Sequence, residues 1–224
     1  MMQEQRKGYG YGGFLVMALA GAAIPLLGGL IAVSIYGVEF IKTGRVSDLD
    51  HPERFDPIAA LPTVGRMVPP GARMVRLSAQ SVRPDGTVAL DAQWRPVVLF
   101  QFAVSHSEPG LPVGAPGAAT TSRWITVRAD RPGRYVVRRQ GSKNYYGWSR
   151  GLTLLDPVDM PASISTPADL PTCHFKTLWD EAIKLGAPKD AVANILYSAH
   201  GYAFTIEGTP HSYTFDHACK LATK

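Results

Sequence analysis

The stretch GYAFTIEGTPHSYTFDHAC, Gly201–Cys219, decides how the rest of the chain is read. Its alternating pattern is broken at Gly208-Thr209-Pro210, which predicts a β-hairpin, and the second strand runs into a cysteine. Upstream, AVANILYS (191–198) reads as a third strand joined to the hairpin by Ala199-His200-Gly201. Before it, CHFKTLWDEAIKLG (173–186) places Phe175, Leu178, Trp179 and Ala182 at helical spacing. Gly186 stands where a helix C-terminus wants a left-handed residue. The C-terminal quarter is therefore expected to be a helix followed by an antiparallel three-strand meander.

The same order is expected earlier in the chain. PIAALPTVGRMV (57–68) offers Ile58, Leu61 and Val64 as one face of a short helix whose length Pro62 limits. ARMVRLSAQSV (72–82), VALDAQ (88–93) and PVVLFQFAV (96–104) read as three strands, with an Asp85-Gly86 turn between the first two. Two helix–β–β–β units with antiparallel sheets give an α+β fold. The DGT…L and GYAFTIEG…YTFD patterns, each behind a helix, resemble PepSY-like and β-lactamase-inhibitor-protein-like repeats. That resemblance implies a binding or inhibitory role with no catalytic residues carried over.

Ahead of both units, FLVMALAGAAIPLLGGLIAVSIYGV (Phe14–Val38) carries no charged side chain and exceeds the roughly 20 residues needed to cross hydrocarbon. It is expected to be one transmembrane helix over residues 14–41, kinked at Pro25 and open to a partner helix at Gly28 and Gly29. The rival reading, a cleaved signal peptide, is favoured by the small residues Ala32–Ser34 and opposed by the length of the run. Gly8, Gly10 and Gly13 have a G-x-G-x-x-G spacing, but a membrane span follows where a nucleotide loop needs a soluble helix. The expected organisation is a short cytoplasmic tail (1–13), the span, a linker (42–56), a first α+β unit with a basic aromatic β insertion (57–160) and a second unit (161–224).

Arg6 and Lys7 before the span nearly balance Lys42 and Arg45 after it, so charge alone does not orient it. The 2 cysteines help. Cys173 and Cys219 suit a single bridge in an oxidising compartment, which places the bulk of the chain outside the cytoplasm, in a periplasm-like space. Such a bridge closes the second unit and stabilises it by about 4 kcal/mol in the chain-entropy model. Zinc held by Cys173, His174, His217 and Cys219 is the rival, though that spacing fits the usual zinc loops poorly. Two free thiols in a cytoplasmic domain are the other alternative.

Between the units lies an unusual tract. Arg123, Arg128, Arg131, Arg134, Arg138, Arg139, Lys143 and Arg150 face only Asp130 in sequence, with Trp124, Tyr135, Tyr145, Tyr146 and Trp148 interleaved. Arginine with tyrosine and tryptophan is interface composition. Trp124, Arg128, Arg134, Tyr135, Arg138, Arg139, Tyr145, Tyr146 and Trp148 are accordingly the expected partner-binding residues. The blander alternative coats the solvent side of ordinary strands with arginine. Ser198, His200 and Asp216 can be set on paper as a hydrolytic triad, but no glycine-framed nucleophile accompanies them. The sequence thus points away from an enzyme and from any cofactor or metal. It points to a single-pass membrane protein, an accessory or structural subunit that meets membrane protein partners and the lipid bilayer but no nucleic acid. A membrane-tethered cell-envelope hydrolase is the alternative.

Overall fold

The computed structural model describes residues 46–106, 121–140, 143–159 and 166–222. The apolar run with Pro25, Gly28 and Gly29 and the boundary expected at 160/161 lie outside them. Among the described residues no helix is long and apolar enough to cross a membrane.

The fold is α+β, mostly antiparallel sheet with two α-helices among the described residues. In chain order the elements are Val46–Asp48 (β1), Leu61–Met67 (α1), Arg73–Val82 (β2), Val98–His106 (β3), Thr121–Ala129 (β4), Tyr135–Gln140 (β5), Lys143–Trp148 (β6), Gly151–Leu154 (β7), Val158–Asp159 (β8), Phe175–Lys184 (α2), Ala193–Ser198 (β9), Gly201–Thr205 (β10) and Ser212–Phe215 (β11). One sheet runs β1-β7-β4-β3-β2-β9-β10-β11, with β8 also on β4, while β5 and β6 form a separate two-stranded sheet.

Register explains why a single core forms. Leu77 of β2 stands opposite Phe100 of β3 and Tyr197 of β9, and the row continues to Val127 on one side and to Tyr202 and Phe215 on the other. A second row joins Ala129, Val98, Ala79, Ile195, Phe204 and Tyr213. Because side chains alternate across a strand, both rows lie on one face, and all their members but Tyr213 are buried. Exchanging the two halves about the β2–β9 seam exchanges these rows, Phe100 taking the place of Phe204 and Leu77 that of Ile195. The meanders therefore share a core across the seam instead of building one each.

The helices cover this face. α2 buries Phe175, Leu178, Trp179 and Ala182 as its spacing predicts. Trp179 meets Phe204 edge-on at 4.9 Å between ring centroids, Phe175 meets Tyr202 at 6.5 Å, and Trp179 Nε1 donates to the Val82 carbonyl at 3.3 Å. Gly186 ends the helix at φ 97, a conformation open to glycine. Gly86 also has positive φ, 83, and a Cβ there would lie 2.5 Å from the backbone nitrogen of Lys176. The Asp85-Gly86 turn is thus pressed against the start of α2. Burial works to raise the Asp85 pKa, but hydrogen bonds from Thr87 and the nearby Arg54 and Arg83 outweigh it and leave the carboxyl below its ordinary value.

Two local expectations differ from the structure. VALDAQ is not a strand; Val88 makes isolated bridges to Phe55 and Val82, and Leu90 donates to the Pro52 carbonyl. The segment plugs the end of the core instead of extending the sheet. Its partner is the supposed linker, which supplies β1 on the edge of β7 and inserts Phe55, 5% exposed, against Phe100. A short charged segment hides one anchoring aromatic well.

Candidate functional site

The basic aromatic tract divides into three structural settings. Trp124 and Arg128 belong to β4 in the main sheet, where both are partly buried. Arg134 lies exposed just before β5. Tyr135, Arg138, Arg139, Tyr145, Tyr146 and Trp148 all fall on the β5–β6 ribbon.

This ribbon is an arm continuous with the main sheet. β4 pairs with β7 up to Ala129 opposite Leu152, Asp130 N donates to Gly151 O, and the ladder resumes through Gly133 N to Ser149 O and Ser149 N to Arg134 O, both 2.7 Å. It then enters the β5–β6 register, Tyr135 opposite Trp148, Val137 opposite Tyr146, Arg138 opposite Tyr145 and Arg139 opposite Asn144. At roughly 3.3 Å per residue, the stretch from Arg134 to Gln140 spans about 20 Å.

Asp130 forms the elbow of the arm. Its side chain is 6% exposed, and three groups converge on it: Ser149 Oγ donates to Oδ1 at 2.7 Å, Arg128 Nε lies 3.0 Å from Oδ2, and Arg134 donates to Oδ2 at 3.4 Å. Ser149 Oγ in turn accepts from Gly151 N at 3.1 Å. A buried carboxylate needs such partners, because an unpaired one carries a large desolvation cost. The acid that stands alone in the sequence of the tract is therefore the one that fixes the arm to the sheet.

Other basic residues of the tract are also paired, by acids far away in sequence. Arg150 makes a two-pronged ion pair with Asp48 of β1, and Arg123 meets Asp159 of β8 at 3.3 Å. Local spacing gives no sign of either contact. From Arg131 to Arg150 the chain itself contains no carboxylate, and Arg138, Arg139 and Lys143 fall toward the ribbon's far end. Trp148 is 63% exposed and Trp94, which the sequence reading passed over, is 65% exposed.

Cys173 and Cys219 are bonded, with Cα atoms 5.9 Å apart, tying the start of α2 to the chain beyond β11. The zinc alternative is not assembled. His174 lies 3.8 Å from Asp56, and His217 contacts the Tyr197 hydroxyl and the Ala199 carbonyl. Among the described residues no cluster of His, Cys, Asp or Glu is suited to a metal ion. Ser198, His200 and Asp216 do not form a relay either: Ser198 Oγ accepts from the His200 backbone, and Asp216 Oδ1 accepts from Ala218 N and Lys220 N.

Two open grooves flank α1. One, of roughly 340 Å³, lies between Leu61, Pro70, Phe102 and Leu170, and the other, of roughly 260 Å³, between Asp48, His51, Asp56 and Thr63. In the second, His51 Nδ1 lies 3.3 Å from Glu53, and Asp56 Oδ1 accepts from Ile58 N and Ala59 N. Compared with known proteins, the chain matches no family model, no curated protein and no solved structure.

Proposed function

We propose that the chain is a single-span membrane-anchored binding protein whose α+β domain stands outside the cytoplasm and serves as an accessory or structural subunit of a membrane protein assembly. The observation that carries this reading is the β5–β6 arm. It extends the β4–β7 ladder as a two-stranded sheet of its own, is rich in Arg and Tyr without a carboxylate along its length, and carries an exposed tryptophan at its root. Arginine and aromatic side chains supply much of the energy at protein interfaces. The uncharged run Phe14–Val38 supports the anchor, with Pro25, Gly28 and Gly29 toward a partner helix. The Cys173–Cys219 bond supports an oxidising compartment. The helix-then-meander order of PepSY-like and β-lactamase-inhibitor-protein-like domains agrees with a binding role.

A photo-crosslinking residue placed at Tyr145 of the full chain in its native membrane tests this. The expected result is one discrete crosslinked protein, lost when Arg138→Gln and Arg139→Gln are combined. Absence of any crosslink, together with a monodisperse monomer after mild detergent extraction, overturns it.

A further inference from the structure

Among the described residues β5 and β6 pair only with each other, so each keeps one edge with no strand against it. The ladder fixes which backbone groups lie along those edges. Ser149 N donates to Arg134 O, and Tyr135 comes next, opposite Trp148. Hydrogen-bonded and open pairs alternate in an antiparallel ladder, so Tyr135–Trp148, Val137–Tyr146 and Arg139–Asn144 are the open pairs. The N–H and C=O groups of Tyr135, Val137 and Arg139 therefore point away from β6, spaced for a further strand. Those of Asn144, Tyr146 and Trp148 line the opposite edge.

The two edges differ in what surrounds their roots. In the main sheet β4 lies between β7 and β3, and β7 lies between β4 and β1. The β5 edge thus opens on the side of β3, and the β6 edge on the side of β1. β1 brings acids with it: Leu49 N donates to Arg150 O, with Asp48 before it and Asp50 after it. β3 enters the sheet at Val98, opposite Ala129, and is preceded instead by Trp94 and Arg95, both exposed. Arg131 and Arg134 lie exposed where β4 passes into β5. The one acid beside them, Asp130, is taken up by Ser149, Arg128 and Arg134.

We propose that the β5 edge receives an extended acidic segment of a partner protein as an added strand. Its backbone bonds to Tyr135, Val137 and Arg139, and its carboxylates meet the arginines of the arm. Charge selects this occupant. A second copy of β5 laid against the first would set arginine beside arginine, and the β6 edge would bring the segment's carboxylates toward Asp48 and Asp50. The inference rests on the reading of the arm as the partner-binding element, and adds which edge is used and by what.

A labelled peptide of alternating Glu and Val, mixed with the full chain in detergent and followed by fluorescence anisotropy and residue-resolved amide exchange, tests it. In the free protein the amides of Val137 and Arg139 are expected to exchange about tenfold faster than those of Val136 and Arg138. Saturating peptide should slow Val137 and Arg139 by about tenfold and leave Asn144 and Tyr146 unchanged. Methylating every second peptide nitrogen should weaken binding about tenfold in one of the two possible phases and not in the other. Arg138→Gln combined with Arg139→Gln should weaken it by about tenfold as well. Absence of saturable peptide binding, equal binding by both methylated peptides, protection of Asn144 and Tyr146 in place of Val137 and Arg139, or binding to anionic vesicles but not to the peptide overturns the proposal. In each of those cases a discrete crosslink at Tyr145 keeps the arm reading, and its absence removes that reading as well.

Discussion

The C-terminal meander and the β5–β6 arm are both antiparallel ladders with short connections, yet one contributes to the shared core and the other forms a two-stranded sheet of its own. β9, β10 and β11 carry Ile195, Tyr197, Tyr202, Phe204 and Phe215 beneath α2. Among the described residues, β5 and β6 pair only with each other. Hydrogen-bonded ribbons alone are marginal in water, and the meander has α2 packed over it. The meander gains its stability from packing, whereas the arm borrows its own from the elbow at Asp130.

The strongest way to break this comparison is Trp179→Ala. It empties the space against Phe204 and removes the donor to Val82, and should cost about 3–5 kcal/mol in urea unfolding. Loss of the Cys173–Cys219 bond, by replacing both residues with serine, should cost about 2–5 kcal/mol, read as a melting temperature below that of the oxidised parent chain. Alkaline titration probes the same region more gently. Burial pushes the Tyr202 pKa up to about 12, despite the Cys173 N–H that donates to its oxygen, with Tyr197 adding to the rise. The unfolded chain ionises this phenol near its ordinary value of about 10 while the folded chain keeps the proton. Stability from Tyr202 is therefore full below about pH 10 and falls as pH climbs toward 12, by about 2–3 kcal/mol, and Tyr202→Phe should flatten that fall. Asp130→Asn sharpens the comparison from the other side. It should change global unfolding by less than about 1 kcal/mol yet speed amide exchange in β5 and β6 by about tenfold or more, since the arm opens without the core.

The parts of the fold legible in sequence are those set by neighbours along the chain. The α2 face from Phe175 to Ala182, the glycine at 186, the hairpin ending at Cys219 and the pairing of the cysteines are local or composition-level signals. The β2–β9 seam is different: periodicity says which side of a strand is apolar, not which strand lies beside it. The same limit hid β1 and Phe55 inside a charged linker and let VALDAQ pass for a strand. At the site, interleaved arginines and aromatics were visible, but their division between a packed face at Trp124 and Arg128 and a projecting arm depends on where Asp130 and Ser149 meet. The acids that neutralise Arg150 and Arg123 arrive through tertiary contacts that no local pattern encodes.

The seam between β2 and β9 also sets an order of events. Leu77 waits for Tyr197, so a chain emerging from its N-terminus completes β2, β3 and β4 well before the strand that covers the free side of β2 exists. Until then β2 is an open edge, the kind of strand that pairs with the wrong neighbour. The register shift between Ala79 and Val82, with Ser81 at φ 54, interrupts that edge, and Asn194 later accepts the Ser81 N–H at 3.2 Å. The irregularity that looks like a flaw in the finished sheet thus breaks the regular edge β2 would present before β9 pairs with it, and Asn194, from β9 itself, satisfies the backbone it leaves over.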